Sequence, residues 1–375
     1  TCWCFYFCYH NHMTVSFHTF VRLVKHHWLT IGFLLGFLTD VMLLNRIDDT
    51  FDNFVLLFYV VLATISMWLF YVGVAERGPV FLAKLFDRYA PLAMQYAFGG
   101  LLSGMLIFYG RSGDWLANAP FLLIIVAVIL GNELIGKRSN RLLLHLAMYF
   151  IGLFSYVVLM VPVLTGRMST LIFLLSGVAS LVLMTVVVQV LYRIIPHFMA
   201  LNTRRIIVTI GFLFTFFNVL YFTNAIPPIP LSLTELAVVQ SVEIASGLSS
   251  LKSYRVTYEV QSWYRYLPFV PLVLHPAEGS IACFARVYAP TKLSTTIYHR
   301  WEYKDKNGDW QEHSRIGYEI AGSNSNGYGG YTRISNFFPG VWRCSVETER
   351  GQVLGREVVR LDTQGGVQTT EVRIR

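Results

Sequence analysis

Few side chains in this 375-residue sequence are typed and spaced for chemistry. From Ala321 to Tyr331 runs AGSNSNGYGGY, a mix of Gly, Ser, Asn and Tyr that suits an adaptable recognition loop. Tyr328 and Tyr331 can stack on a sugar ring or an aromatic partner, and Asn324 and Asn326 can donate hydrogen bonds. The alternative is a plain surface loop joining two strands. Earlier, in Tyr298-His-Arg-Trp301, side chains of an extended strand alternate. His299 and Trp301 therefore share one face, and Tyr298 and Arg300 the other. With Trp301 in a core, His299 becomes a partly buried histidine with a local partner. His299 and His313 have no third ligand at a suggestive spacing, so no metal is assigned. Cys2, Cys4 and Cys8, near His10 and His12, read C-x-C-x3-C, which matches no trusted zinc pattern. Residues 1–12 are expected to be an upstream leftover, with Met13 opening an ordinary membrane-protein start. There is no G-x-x-x-x-G-K-S/T, no H-E-x-x-H and no G-x-S-x-G, so no catalytic residue and no cofactor is assigned.

The elements that carry these residues fall into two kinds. The chain is 54% hydrophobic, with a mean hydropathy of +0.50, so membrane embedding is the first reading. Seven apolar runs occur within residues 13–222: Trp28–Leu44, Phe54–Val74, Leu92–Tyr109, Trp115–Ile135, Leu142–Leu164, Ser169–Leu191 and Ile206–Phe222. Each is about long enough to cross a hydrocarbon core of ~30 Å, and each must be helical because lipid offers backbone groups no partners. With the N-terminus cytoplasmic, the inner segments hold 11 Lys/Arg and the outer loops only Arg46, Arg111 and Arg167. The net charge of +8 is thus read as a positive-inside bias, and no nucleic acid is expected as a partner. An odd number of crossings sends everything after Phe222 outside the cytoplasm. Gly100-Leu-Leu-Ser-Gly104 suits close helix packing. Asp40 and Glu133 are read as snorkelling from span ends, and His145 as lying near a cytoplasmic helix start.

Pro227, Pro228 and Pro230 end the last span, and residues 223–253 form a hinge. Ser232-Leu-Thr-Glu235 reads as a capping box opening a short helix to about Gly247. Trp263–Pro276 reads as a loop or edge segment, either near headgroups or packed under the soluble domain. Residues 254–375 then alternate with period two and predict eight strands in an all-β, immunoglobulin-like antiparallel sandwich. Cys283, Trp301 and Cys344 follow the order Cys…Trp…Cys, with Trp342 two residues before the second cysteine. A Cys283–Cys344 disulfide is chemically allowed outside the cytoplasm, and two small buried thiols are the alternative.

Tyr298-His-Arg-Trp301 and Gly340-Val-Trp-Arg-Cys344, within residues 280–362, resemble a bacterial domain family of unknown function, DUF2914. In that family a similar C-terminal domain follows a multi-span membrane region, which implies a bacterial inner-membrane location and brings no activity. Two classes of function follow. In one, the helices anchor an extracytoplasmic module that recognises envelope glycan, lipid headgroup or a membrane protein partner. In the other, the helices transport, or act on lipid-linked substrates, through Asp40, Glu133, Arg141 and His145.

Overall fold

The computed structural model describes residues 28–44, 50–76, 79–111, 141–226, 230–245, 253–261, 271–276, 279–290, 293–321, 327–362 and 369–375, with Ala119, Leu123, Val126 and Ala127. Among them run six long helices: α1 (Trp28–Leu43), α2 (Thr50–Val74), α3 (Val80–Arg111), α4 (Arg141–Thr165), α5 (Thr170–Ile194) and α6 (Pro196–Phe222). The last five are long and apolar enough to cross a membrane, and α1 adds a shorter apolar stretch, Leu34–Leu43. A 25-residue helix such as α5 is about 37 Å long. The expected fourth run, Trp115–Ile135, lies almost wholly outside the described residues, as do Glu133 and residues 1–12.

Two boundaries differ from expectation. The third helix begins at Val80, twelve residues before the apolar run, and continues through Pro91. Between α5 and α6 only Ile195 is non-helical, so Arg204 and Arg205 lie inside a helix and not in a loop. Pro196 permits this, because the first helical position needs no N–H donor.

The chain divides into two compact units. One comprises Thr1–Ile107, Ile125–Val157 and Gly177–Phe214; the other comprises Phe108–Ile124, Val158–Ser176 and Thr215–Arg375. In the first, α1, α2 and α3 approach closely through small residues. A Cβ on Gly100 would lie 2.5 Å from the Tyr59 ring, and one on Gly104 would lie 2.7 Å from Leu56.

The second unit holds eleven strands: β1 (Ser232–Val239), β2 (Ser241–Ala245), β3 (Ser253–Glu259), β4 (Leu272–Leu274), β5 (Ile281–Tyr288), β6 (Ser294–Lys304), β7 (Trp310–Ala321), β8 (Tyr328–Ile334), β9 (Gly340–Thr348), β10 (Val353–Leu361) and β11 (Thr370–Ile374). They form three sheets, ordered β1-β5-β8, β4-β10-β9-β6-β7 and β11-β3-β2. All pairings are antiparallel except β4 with β10. Two layers were expected and three are present. The reason is β5, IACFARVY, which is apolar on both faces. Cys283, Ala285 and Val287 pack toward the five-stranded sheet, whereas Ala282 and Phe284 pack with Val242, Tyr254 and Val256 of the third sheet. An almost continuous apolar strand is the mark of a middle layer.

The expected helix at Ser232 is strand β1 instead. Seven of its residues register against β5, from Ser232 opposite Tyr288 to Val239 opposite Ala282. Glu235 does not cap a helix; it accepts from the Tyr258 hydroxyl at 2.8 Å and pairs with Arg375 at 3.0 Å. A local capping signal has yielded to a ladder that buries Val238 and Val239. The hairpin turns follow local chemistry. Asp305 Oδ1 accepts from the Asn307 and Asp309 amides at 2.9 Å, and Gly308 and Gly351 hold φ of +90° and +80°.

Cys283 on β5 and Cys344 on β9 are joined by a disulfide between two layers, closing a loop of sequence separation 61. A loop of that size confers about 4 kcal/mol in the chain-entropy view. Replacing both cysteines by alanine should lower the melting temperature of the full chain in detergent. Reductant should then lower the wild type and leave the double variant unmoved. Equal melting of wild type and variant would show that the cross-link carries no stability.

Candidate functional site

Behind the disulfide lies the most polar part of the β core. On β6 the inward residues are Ile297, His299 and Trp301, all fully buried. Trp301 Nε1 donates to Thr332 Oγ1 at 3.1 Å, and that hydroxyl lies 3.0 Å from His299 Nδ1. Tyr318 Oη lies 3.0 Å from His299 Nε2. Both ring nitrogens thus have hydroxyl partners, and burial drives the His299 pKa down to about 3. The sulfurs of Cys283 and Cys344 and a nitrogen of His299 lie within 4.8 Å of one another, a set that resembles metal ligands. The disulfide leaves neither sulfur as a thiolate, so this set has no anionic sulfur ligand to offer. The second tryptophan, Trp342, is also fully buried and donates from Nε1 to the Phe338 carbonyl at 2.9 Å.

Glu357 was not singled out from the sequence. In register it stands opposite Cys344, two residues before the core residue Val359, and so on the inward face. Burial pushes its carboxyl up to about 7. A signal was available in the sequence: in GREVVRL the odd position belongs to the apolar side of the alternation.

The outward face of β9-β6-β7 carries a row of alternating charge. Arg343 Nη2 pairs with Glu302 at 2.7 Å, Arg300 lies 3.9 Å from Glu302 and 3.4 Å from Glu347, and Arg315 Nε pairs with Glu347 at 2.7 Å. The guanidinium of Arg315 lies 3.9 Å from the Tyr298 ring centroid, and that of Arg343 4.2 Å from Trp310. Three arginines face two glutamates, leaving one positive charge in excess. Arg300 was placed on this face from the alternation, but its partners come from strands that only the register brings together.

Tyr328 and Tyr331 are not at the tip of a loop. Both lie in β8, opposite Val287 and Phe284 of β5. Tyr328 packs against the core cluster of Val287, Leu293 and Ile320, and Tyr331 meets Tyr254 edge-on at 6.0 Å. Each is partly buried, so these rings are spent largely on packing. Asn324 and Asn326 lie outside the described residues.

In the helical unit Asp40 does not reach for an interface: it is fully buried. Tyr59 donates to Asp40 Oδ1 at 2.7 Å, and Ser103 to Oδ2 at 2.6 Å. Glycine at position 104 leaves room for this carboxylate, since a Cβ there would lie 3.4 Å from Asp40 Oδ2. His145 is likewise buried, with Nδ1 3.2 Å from the Tyr71 hydroxyl. Arg141 opens α4, and its side chain is not among those described.

The class defined so far is a chain of long apolar helices followed by a disulfide-linked, β-rich C-terminal region. Within that region, residues 294–359 match the family described as Protein of unknown function (DUF2914). The match holds all five members of the charge row, together with His299, Trp301 and Cys344. No match is found among curated proteins or among solved structures.

Fully buried His299 and partly buried Glu357 set a pH dependence. Between about pH 3 and 6.5 the unfolded chain holds a proton at His299 that the folded chain does not, so stability is lost as pH falls through that window. Glu357 has the opposite sign: between about pH 4.5 and 7 the folded chain holds the extra proton, so stability is lost as pH rises. His299→Gln should flatten the acid limb, worth about 3–5 kcal/mol in all. Glu357→Gln should raise stability at pH 8 by about 1–3 kcal/mol. Denaturation of the full chain, followed by tryptophan fluorescence from pH 4 to 8, checks both slopes.

Proposed function

We propose that this chain is a multi-pass protein of a bacterial inner membrane that displays its β region outside the cytoplasm as a recognition module. Seven crossings with a cytoplasmic N-terminus are consistent with the excess of Lys/Arg in the inner segments. The two layers joined by the disulfide form the immunoglobulin-like part, and the third sheet is an added cover. The observation that carries the reading is the fully buried Cys283–Cys344 cross-link, because disulfides form and persist where the surroundings are oxidising. The half-exposed arginines and aromatic rings of the outward face favour an anionic or sugar-bearing partner, an envelope glycan, a lipid headgroup or a protein.

Side is tested by labelling. Lys306 lies at the exposed β6–β7 turn, so Lys306→Cys should react with a membrane-impermeant maleimide in cells whose outer envelope has been permeabilised. Labelling that appears only after the inner membrane is lysed would overturn the reading.

A second reading places function in the helices, and Asp40 favours it. A carboxylate sealed among spans and held by two hydroxyls is costly to keep and marks an ion or proton path by default. Under this reading Asp40→Asn reproduces the phenotype of losing the chain, and deletion of residues 254–375 does not. The reverse pattern supports the recognition module.

A further inference from the structure

A cavity of about 240 Å³ lies within the second unit, and every residue lining it belongs to that unit. Its floor is the end of α4 and the start of α5, with Pro162, Ser169, Thr170 and Phe173; its wall is Tyr221 at the end of α6; its roof is the β9–β10 turn with Arg350. Arg350 is held in place from three sides. Its guanidinium lies 4.0 Å from the Tyr221 ring centroid, and Tyr221 in turn stacks on Phe173 at 3.6 Å. Asn224 Nδ2 donates to the Arg350 carbonyl at 3.2 Å, and Arg350 Nη2 makes one long contact, 3.5 Å, to the Tyr221 carbonyl. Nη1 is buried and, among the described residues, has no hydrogen-bond partner. A buried guanidinium donor left open is costly, and the chemistry that repays it is an oxyanion.

Two further features narrow the ligand. Ser169 caps α5, accepting from the Ile172 amide at 3.2 Å, so the positive end of a 25-residue helix faces the same space. Glu349 is the acidic group in the lining; it is solvent-exposed, and the neighbouring Arg167 is exposed too. On the helix ends, one or two residues from lining residues Pro162, Thr170 and Tyr221, apolar side chains are bare: Leu164 is 70% exposed, Leu171 64% and Phe222 54%. A free inorganic anion has no use for that surface, whereas acyl chains do.

We infer that this cavity binds the phosphodiester headgroup of an anionic lipid, with the Arg350 guanidinium on a phosphate oxygen and the acyl chains along Leu164, Leu171 and Phe222. The inference rests on the membrane-embedded reading above and names a ligand class for it.

The test uses the full chain in nanodiscs of phosphatidylcholine, with or without phosphatidylglycerol, and native mass spectrometry of retained lipid. Wild type should retain phosphatidylglycerol over phosphatidylcholine. Arg350→Gln should lose that retention by roughly tenfold or more, with Arg350→Lys between the two. Thr170→Phe, which fills the cavity and leaves Arg350 in place, should abolish it as well; this keeps the proposal testable if Arg350→Gln fails to form its disulfide. Undiminished retention in a folded Arg350→Gln or Thr170→Phe overturns the site. Displacement of the lipid by millimolar inorganic phosphate overturns the lipid assignment in favour of a soluble anion. A nanodisc exposes both leaflets, so failure here counts against the cavity and not against the side on which the β region lies.

Discussion

The β region depends on one strand being buried twice. β5 is packed on both faces: Ile281, Cys283, Ala285 and Val287 meet the five-stranded sheet, and Ala282 and Phe284 meet the β11-β3-β2 sheet. Every other feature of the region answers that constraint. Ladders to β1 and β8 satisfy the strand's backbone on both edges, which removes the cost of unpaired amides in an apolar layer. The disulfide leaves β5 from one of the inward positions and fixes its distance from β9. Tyr254, lying across the other face, donates its hydroxyl to the Gly329 carbonyl at 2.8 Å, so the third layer is tied to β8 as well as to β5.

Much of this was legible in the residues, and the failures share a cause. The strands from Tyr254 onward announce themselves because half-buried strands alternate, and turns such as Asp305 to Gly308 carry their own hydrogen bonds. The helices announce themselves by length and hydropathy. What could not be read was anything decided by pairing across long separations. Ser232 to Glu235 has the local chemistry of a helix start, yet a partner some fifty residues away, in β5, claims it as strand. Asp40 near a run's end looks like a snorkelling group; the hydroxyls that enclose it stand 19 and 63 residues away. The charge row is the same case. Arg300, Glu302, Arg315, Arg343 and Glu347 come from three strands, and no spacing within one of them reveals the set.

Those buried polar groups are arranged by a common rule, that each carries its partners with it. Glu347 sits between Arg300 and Arg315, Glu302 between Arg300 and Arg343, and Asp40 between two hydroxyls. Removing a partner leaves a charge in low dielectric, which costs far more than the pair gains. Conformational specificity follows: such a row fits only one register of β6 between β7 and β9. A slip of one residue would turn Glu302 and Glu347 into the layer that holds Trp301 and Trp342.

The same rule decides what the cross-link is for. A disulfide that exchanges electrons needs an accessible sulfur and a nearby positive charge to make its thiolate a good leaving group. Cys283 and Cys344 are both fully buried, and His299 beside them is closed at both nitrogens by hydroxyls and held neutral by burial. Reduction would yield two fully buried thiols beside a neutral histidine, so the pair is poor machinery for thiol chemistry. It is well suited to holding two layers together. That requirement, more than any catalytic group, is what the core of this region is built to meet.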